Sequence, residues 1–256
     1  MKYTVITGAS SGIGYETALA FASKGKNLIL TARREEKLKK LKEEIHKIND
    51  EVNVEIHLAD LSINHEVYDL YESLKEYSIE TWINNAGFGN FDSVGDQNLK
   101  KIESMLRLNN EALTILSTLY VRDYSDVEGA QLINVSSGGG YTVVADAVTY
   151  CATKFFVSAF TEGLAQELQS KGAQLKAKVL APAATETEFA ERSLDVESFS
   201  YNESVPQYHT AKEMADFMMD LYDSDQVVGI VDGQSYEFNL RRPIYPYADR
   251  SRNSDS

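Results

Sequence analysis

The stretch that most constrains this chain is Lys2 to Gly14, KYTVITGASSGIG. Tyr3-Thr4-Val5-Ile6 is a β-branched and aromatic run that suits a buried strand. It breaks into Thr7-Gly8-Ala9-Ser10-Ser11-Gly12-Ile13-Gly14, and a helical pattern follows through Ala18, Leu19 and Ala22. A strand, a glycine turn and a helix in that order form an anion site. Unpaired backbone N–H groups and the positive end of the helix dipole point into the turn, so a pyrophosphate is favoured there. The glycines follow a G-x-x-x-G-x-G spacing, not the G-x-G-x-x-G of the common dinucleotide fingerprint. Gly8 would turn off the strand, Gly12 would let a pyrophosphate approach the backbone, and Gly14 would let helix pack on strand. An ordinary glycine-rich turn has the same look, so the rest of the chain decides.

Downstream, strands and helices alternate. Asn27–Thr31 reads as a second strand, followed by Arg33, Arg34 and a charged helix from Glu35 to about Ile48 with Leu38, Leu41 and Ile45 on its buried face. Val52–Leu58 is a third strand, running into Asp60-Leu61, and Asn64–Tyr77 a helix with Val67, Leu70, Tyr71 and Leu74 inward. Thr81–Asn84 is a fourth strand, ending in Asn84-Asn85-Ala86-Gly87 and a polar loop. Leu99–Tyr124 carries a long helical pattern that fits two helices or one bent one. Gln131–Val135, Leu175–Leu180 and Val227–Val231 complete seven strands, with helices over Thr149–Ser170 and Ala211–Tyr222. This rhythm predicts right-handed βαβ units and a parallel sheet covered on both faces. No linker or composition shift divides it, so residues 1–250 read as one domain and 251–256 as a frayed tail.

Composition excludes several classes. A net charge of −14 argues against nucleic acid, whose backbone would be repelled. The single cysteine, Cys151, rules out an internal disulfide framework and reads as a core thiol. No run is long and apolar enough to span a bilayer, and the first strand leaves no room for a signal peptide. A cytoplasmic protein with no membrane attachment and no metal is expected.

In an open parallel sheet, ligands bind beyond the carboxyl ends of the strands. Those ends carry the glycine turn, Asp60-Leu61, Asn84 to Gly87, Ser136-Ser137 and Ala181-Pro182. Tyr150 and Lys154 are four apart in a helix and share one face. A free phenol, with a pKa near 10, is a poor acid–base group at neutral pH, and a nearby ammonium favours the phenolate and lowers that value. A surface tyrosine beside a solvated lysine shows the same pattern. Ser137 is placed to hydrogen-bond a carbonyl oxygen as negative charge develops on it. Ser136 is its near rival.

Together, Thr7 to Gly14, Asn84-Asn85-Ala86-Gly87, Asn109, Ser137 and Tyr150-x-x-x-Lys154 resemble the ordered signature of the short-chain dehydrogenase/reductase family. The register covers residues 3 to about 190. The resemblance implies a doubly wound Rossmann-type α/β fold, here with a seven-stranded, mostly parallel sheet, and a nicotinamide cofactor held by Gly8, Ser10, Ser11, Gly12, Ile13 and Gly14. It implies a tetrad in which Tyr150 exchanges the proton and Ser137 holds the carbonyl or hydroxyl. Lys154 would also bind the nicotinamide ribose, and Asn109, preferred to Asn110 because Leu108-Asn109 resembles the family's apolar-Asn step, would keep a relay water. Asp60, with Leu61, falls at the adenine edge; without the family Asp60 reads as a helix N-cap. Asn85, Ala86 and Gly87 fall beside the adenosine ribose. Pro182 and Thr187 fall at the nicotinamide, with Pro182-Ala183 where the family usually has Pro-Gly.

An NAD enzyme typically carries an acidic residue after the second strand. This chain has Arg33 and Arg34 there, and an arginine fork matches a 2′-phosphate. NADP(H) is therefore expected, with Arg33 first and Arg34 second. A segment of about 183–209 would cover the substrate; its aromatics Phe189, Phe199, Tyr201 and Tyr208 would line an apolar pocket, and its acidic residues disfavour anionic substrates. The leading expectation is an NADPH-dependent oxidoreductase acting on a small carbonyl or secondary alcohol. Its rivals are a reductase of an imine or activated double bond, and an NADP(H)-binding regulator without turnover. The resemblance further implies a homodimer or homotetramer through the two long helices.

Overall fold

The computed structural model describes residues 1–248, so the expected tail lies outside the described residues. The elements are β1 (Lys2–Thr7), α1 (Gly12–Ser23), β2 (Asn27–Ala32), α2 (Glu35–Ile48), β3 (Val54–Leu58), α3 (Asn64–Ser73) and β4 (Ser78–Asn84). There follow α4 (Leu99–Leu106), α5 (Leu113–Tyr124), β5 (Gln131–Val135), α6 (Val148–Ser170) and β6 (Lys176–Ala181). The covering segment holds β7 (Thr185–Glu186), α7 (Phe189–Leu194), α8 (Tyr201–Ser204) and β8 (His209–Thr210), and the chain continues through α9 (Ala211–Asp223), β9 (Val228–Val231) and β10 (Phe238–Arg241).

The main sheet runs β3-β2-β1-β4-β5-β6-β9-β10, parallel throughout except that β10 pairs antiparallel with β9. The seven expected strands are present; β10 is an eighth. Helices α1, α2 and α9 pack on one face, α3, α5 and α6 on the other. Because both faces are covered, β1 is buried from Tyr3 to Thr7, as an apolar strand without alternation must be. The sequence runs outward from β1 in both directions, to β2 and to β4, so the switch point of the doubly wound sheet lies at the end of β1.

Two buried polar groups hold the sheet to its helices. Asn84 donates to Asn134 Oδ1 at 2.9 Å and to Ser117 at 3.1 Å, and Asn134 donates to Thr161 of α6 at 2.9 Å. On β6, Lys178 is buried. Its Nζ donates to the carbonyls of Leu221 (2.9 Å), Tyr222 (2.8 Å) and Ser224 (2.6 Å), closing the C-terminal end of α9. Lys178→Met strips three acceptors of their donor and is expected to cost about 2–4 kcal/mol in urea unfolding.

Candidate active site

At the switch point the ends of β1 and β4 are tied together. The Thr7 hydroxyl accepts from the backbone N–H groups of Asn85 and Ala86, both at 3.0 Å, and Asn85 Nδ2 donates to the carbonyl of Thr7 at 3.0 Å. The turn this closes needs glycine. Gly8 has φ +67°, and a Cβ there would stand 2.8 Å from the Ala86 Cα. Gly12 has φ +57°, and a Cβ on it would strike Thr187 at 2.9 Å. Ser11, at the head of α1, makes no side-chain cap, so the first N–H groups of α1 are left for a ligand.

A cavity of about 1090 Å³ opens above these strand ends, roofed by the 183–209 segment. Its walls include Gly8, Ser10, Ser11, Gly12, Ile13, Arg33, Arg34, Asp60, Leu61, Asn85, Ala86, Gly87, Ser137, Tyr150, Lys154, Pro182 and Thr187. Of the candidate catalytic and cofactor-binding residues, Gly14 and Asn109 are not in the wall. Gly14 lies beneath it, against the Gly8 backbone and Asn85, in the close-packing role its spacing suggested. Asn109 is buried and clasps the backbone of Phe88, donating to its carbonyl at 2.9 Å and accepting from its N–H at 3.2 Å.

The Leu99–Tyr124 pattern resolves into α4 and α5 joined by one π-helical turn, Arg107–Ala112, which contains Asn109. Such turns reposition a side chain without ending the helix. Asn109 also donates to Thr153 Oγ1 at 3.1 Å, joining this turn to α6 one residue before Lys154.

The serine ambiguity is resolved by hydrogen bonding. Ser136 is buried, donating to the carbonyl of Lys154 at 2.9 Å and paired with Ser158 at 2.7 Å, so it fastens α6 to β5. Ser137 is half-buried; its Oγ accepts from Gly139 N–H at 3.1 Å and its hydroxyl lies beside the Tyr150 phenol. Pro182 sits beside it, its carbonyl accepting from Gly138 N–H at 2.7 Å. Ala183 is not among the positive-φ residues, so the missing glycine leaves no strain there. Asp60 is not a helix cap: it accepts from Ser62 N–H at 3.0 Å in a turn ahead of α3.

Tyr150 and Lys154 share the inward face of α6, but one expectation needs correcting. Lys154 was read as lowering the phenol's pKa; here burial pushes the Tyr150 phenol above its ordinary value, with the neighbouring Ser137 hydroxyl working in the opposite direction. The Lys154 ammonium turns to the carbonyl of Val135 at 3.0 Å and stands 5.9 Å from the Tyr150 ring centre. Burial pushes that ammonium down to about 8.

Several wall residues gave no clear sequence signal. The loop after β4, read as polar, turns Phe88 and Phe91 inward, and Phe91 meets the Tyr150 ring edge-on at 6.0 Å. Phe189, an aromatic of the covering segment expected to line the pocket, covers the same ring at 5.4 Å. Lys101 of α4 anchors the end of α7, donating to the carbonyls of Arg192 and Ser193 and to Asp195 at 2.8 Å. Of the two arginines, Arg34 faces the glycine turn, donating to Ser10 at 3.0 Å and Ser11 at 2.8 Å. Arg33 is the more exposed and reaches only Asp60, at 3.4 Å.

A doubly wound sheet with a glycine turn at its switch point and a cavity over its strand ends defines a nucleotide-binding α/β protein. The family model described as short chain dehydrogenase matches residues 2–197. An uncharacterized oxidoreductase of Staphylococcus saprophyticus is 31% identical over 196 residues, covering 76% of this chain and 78% of the relative. The chain belongs to the short-chain dehydrogenase/reductase family, and with it to the oxidoreductases that use nicotinamide cofactors on small molecules. Among solved structures, a short-chain dehydrogenase from Sphingobium yanoikuyae in complex with NADPH is 29% identical with TM-score 0.83, covering 91% of this chain and 89% of that one. A bulky-bulky ketone specific alcohol dehydrogenase from Comamonas testosteroni is 27% identical with TM-score 0.78, covering 90% and 86%. Among the described residues, no helix is long and apolar enough to cross a membrane.

Proposed function

We propose that this chain is an NADPH-dependent carbonyl reductase of the family, with Tyr150 as proton donor. The observation that carries the reading is the convergence of Tyr150, Ser137 and Lys154 on the cavity that the glycine turn also lines. The fit of a dinucleotide rests on the uncapped start of α1 and the left-handed Gly12, with Asp60, Leu61 and Asn85 to Gly87 along the adenosine side. When bound, the reduced nicotinamide supplies the hydride that the carbonyl carbon accepts.

The protein's own part is proton transfer and charge. Burial keeps the Tyr150 hydroxyl protonated at neutral pH, which suits an acid rather than a base. Ser137 holds the substrate oxygen by its O–H while Tyr150 delivers its proton there. The Lys154 ammonium, 5.9 Å from the ring centre, offsets part of the burial penalty on the phenolate left behind; among the described residues its hydrogen-bond partner is the Val135 carbonyl and not a carboxylate. Asn109 holds the Phe88 backbone and α6 in register, and the relay water assigned to it remains part of this reading. The NADP(H) preference rests on Arg34 beside the glycine turn and is supported by the NADPH-bound relative. A ketone substrate is favoured by the aromatic wall of Phe88, Phe91 and Phe189 and by the ketone-specific relative. Self-association through α4, α5 and α6 is proposed from the exposed Leu106 and Phe156.

Lys154 gives the reading a pH signature. Its pKa is lowered to about 8, so it is charged below that pH and neutral above it. Carbonyl reduction is expected to hold level through neutrality and fall above about pH 8. A kcat/KM profile from pH 6 to 10 checks this, and Lys154→Met should lower the whole profile and remove the alkaline limb. The primary experiment is NADPH against NADH oxidation across aldehydes, simple ketones, diketones and steroids; absence of any turnover overturns the reading.

A further inference from the structure

Three consecutive residues of the covering segment touch three parts of the site. Thr187 lies on Gly12 of the glycine turn, Glu188 on Arg34, and Phe189 on the Tyr150 ring. The middle contact is the unusual one. Glu188 accepts from Arg34 Nη1 at 2.9 Å, from Arg192 Nη2 at 2.5 Å and from Lys37 Nζ. Arg192 is on the same segment as Glu188, four residues on, whereas Arg34 lines the cavity and Lys37 lies beside it in the first turn of α2. Nε and Nη2 of Arg34 engage Ser10 and Ser11. Burial pushes the Glu188 carboxyl up, but the hydrogen bonds of Lys37 and Arg34 and the charges of Arg34 and Arg192 outweigh it and hold the group at about 2, fully ionised at working pH.

We propose that Glu188 is an internal competitor for the cofactor's 2′-phosphate, occupying the same two cations and setting how tightly the phosphorylated dinucleotide binds. The inference rests on the NADP(H) reading above and goes beyond it. A 2′-phosphate is a dianion with three oxygens and outcompetes one carboxylate for Arg34 and Lys37. The loss of those two partners leaves Glu188 with Arg192 alone, on its own segment, so phosphate binding unlatches the segment that holds Phe189 over Tyr150. A dinucleotide without the phosphate has no anion to offer at that point and leaves the latch shut. The coupling is reciprocal: whatever holds the segment down weakens the phosphate, and the phosphate loosens the segment.

The test uses the full chain and probes that isolate the phosphate, adenosine 2′,5′-bisphosphate and 5′-AMP, titrated by calorimetry into wild type and Glu188→Gln. Glutamine keeps the shape and removes the charge. The variant should bind the bisphosphate about five- to tenfold more tightly at low salt, with 5′-AMP unchanged within about twofold. In the wild type, the bisphosphate but not 5′-AMP should raise amide hydrogen exchange across residues 185–195. Equal bisphosphate affinity in both proteins overturns the competition while leaving the cofactor reading intact. Weaker binding in Glu188→Gln overturns it in favour of Glu188 orienting Arg34. Wild type that binds neither nucleotide nor NADPH overturns the cofactor reading and this inference together.

Discussion

Tyr150→Phe is expected to lower ketone reduction by about 10²- to 10⁴-fold while NADPH binding and the melting temperature stay near their wild-type values. The ring is held by Phe91 and Phe189, and phenylalanine keeps both contacts. What is lost is the phenolic hydroxyl that lies beside Ser137. Lys154 is turned to the Val135 carbonyl and cannot donate in its place without leaving it. Steady-state kinetics together with NADPH fluorescence titration separate the two effects. A variant that binds NADPH and reduces ketones at the wild-type rate removes Tyr150 from the mechanism. A variant whose cellular effect survives without turnover would favour the regulator over the enzyme.

The second large effect concerns the arginines, where the contacts of Arg34 with the glycine turn favour it over Arg33, the first choice from position in the chain. Arg34→Ala should reduce kcat/KM with NADPH by about 10- to 100-fold and with NADH by no more than a few-fold, as expected for the loss of one or two charge-assisted hydrogen bonds. Arg33→Ala should cost less. Arg34 already lies against Ser10 and Ser11, where the phosphate side of a dinucleotide would run, whereas Arg33 points to solvent and meets only Asp60. Removing Arg34 also leaves Glu188 facing the phosphate with one cation fewer, which adds to the loss. Ratios of kcat/KM for the two cofactors in both variants decide the order; an equal or larger effect at Arg33 restores it to first place.

Local pattern carried most of the architecture. A strand buried on both faces must be apolar throughout, and a helix packed on it must repeat near 3.6, so β1 to β6 and their helices left direct marks. Leu38, Leu41 and Ile45 are fully buried where their spacing put them. β10 left no such mark. It is a short edge strand with partly exposed residues and one neighbour, so little in its composition needed to differ from a loop. The π turn at Asn109 was visible only as an overlong helix, because such a turn changes hydrogen bonding without changing residue type.

The sequence alone determined the order of the sheet's core and the residues at its strand ends, since chain direction and a glycine turn leave few ways to wind. Only the tertiary structure decided which of those residues meet. Arg34 and Glu188 are 154 positions apart, and Lys178 reaches carbonyls more than 40 residues away. No local spacing encodes such pairs: a charge's partner, and the burial that shifts its pKa, depend on which surfaces close over it. That is why the sequence read Lys154 as a charge beside Tyr150, whereas packing showed both groups under one roof, with burial rather than their proximity governing the phenol.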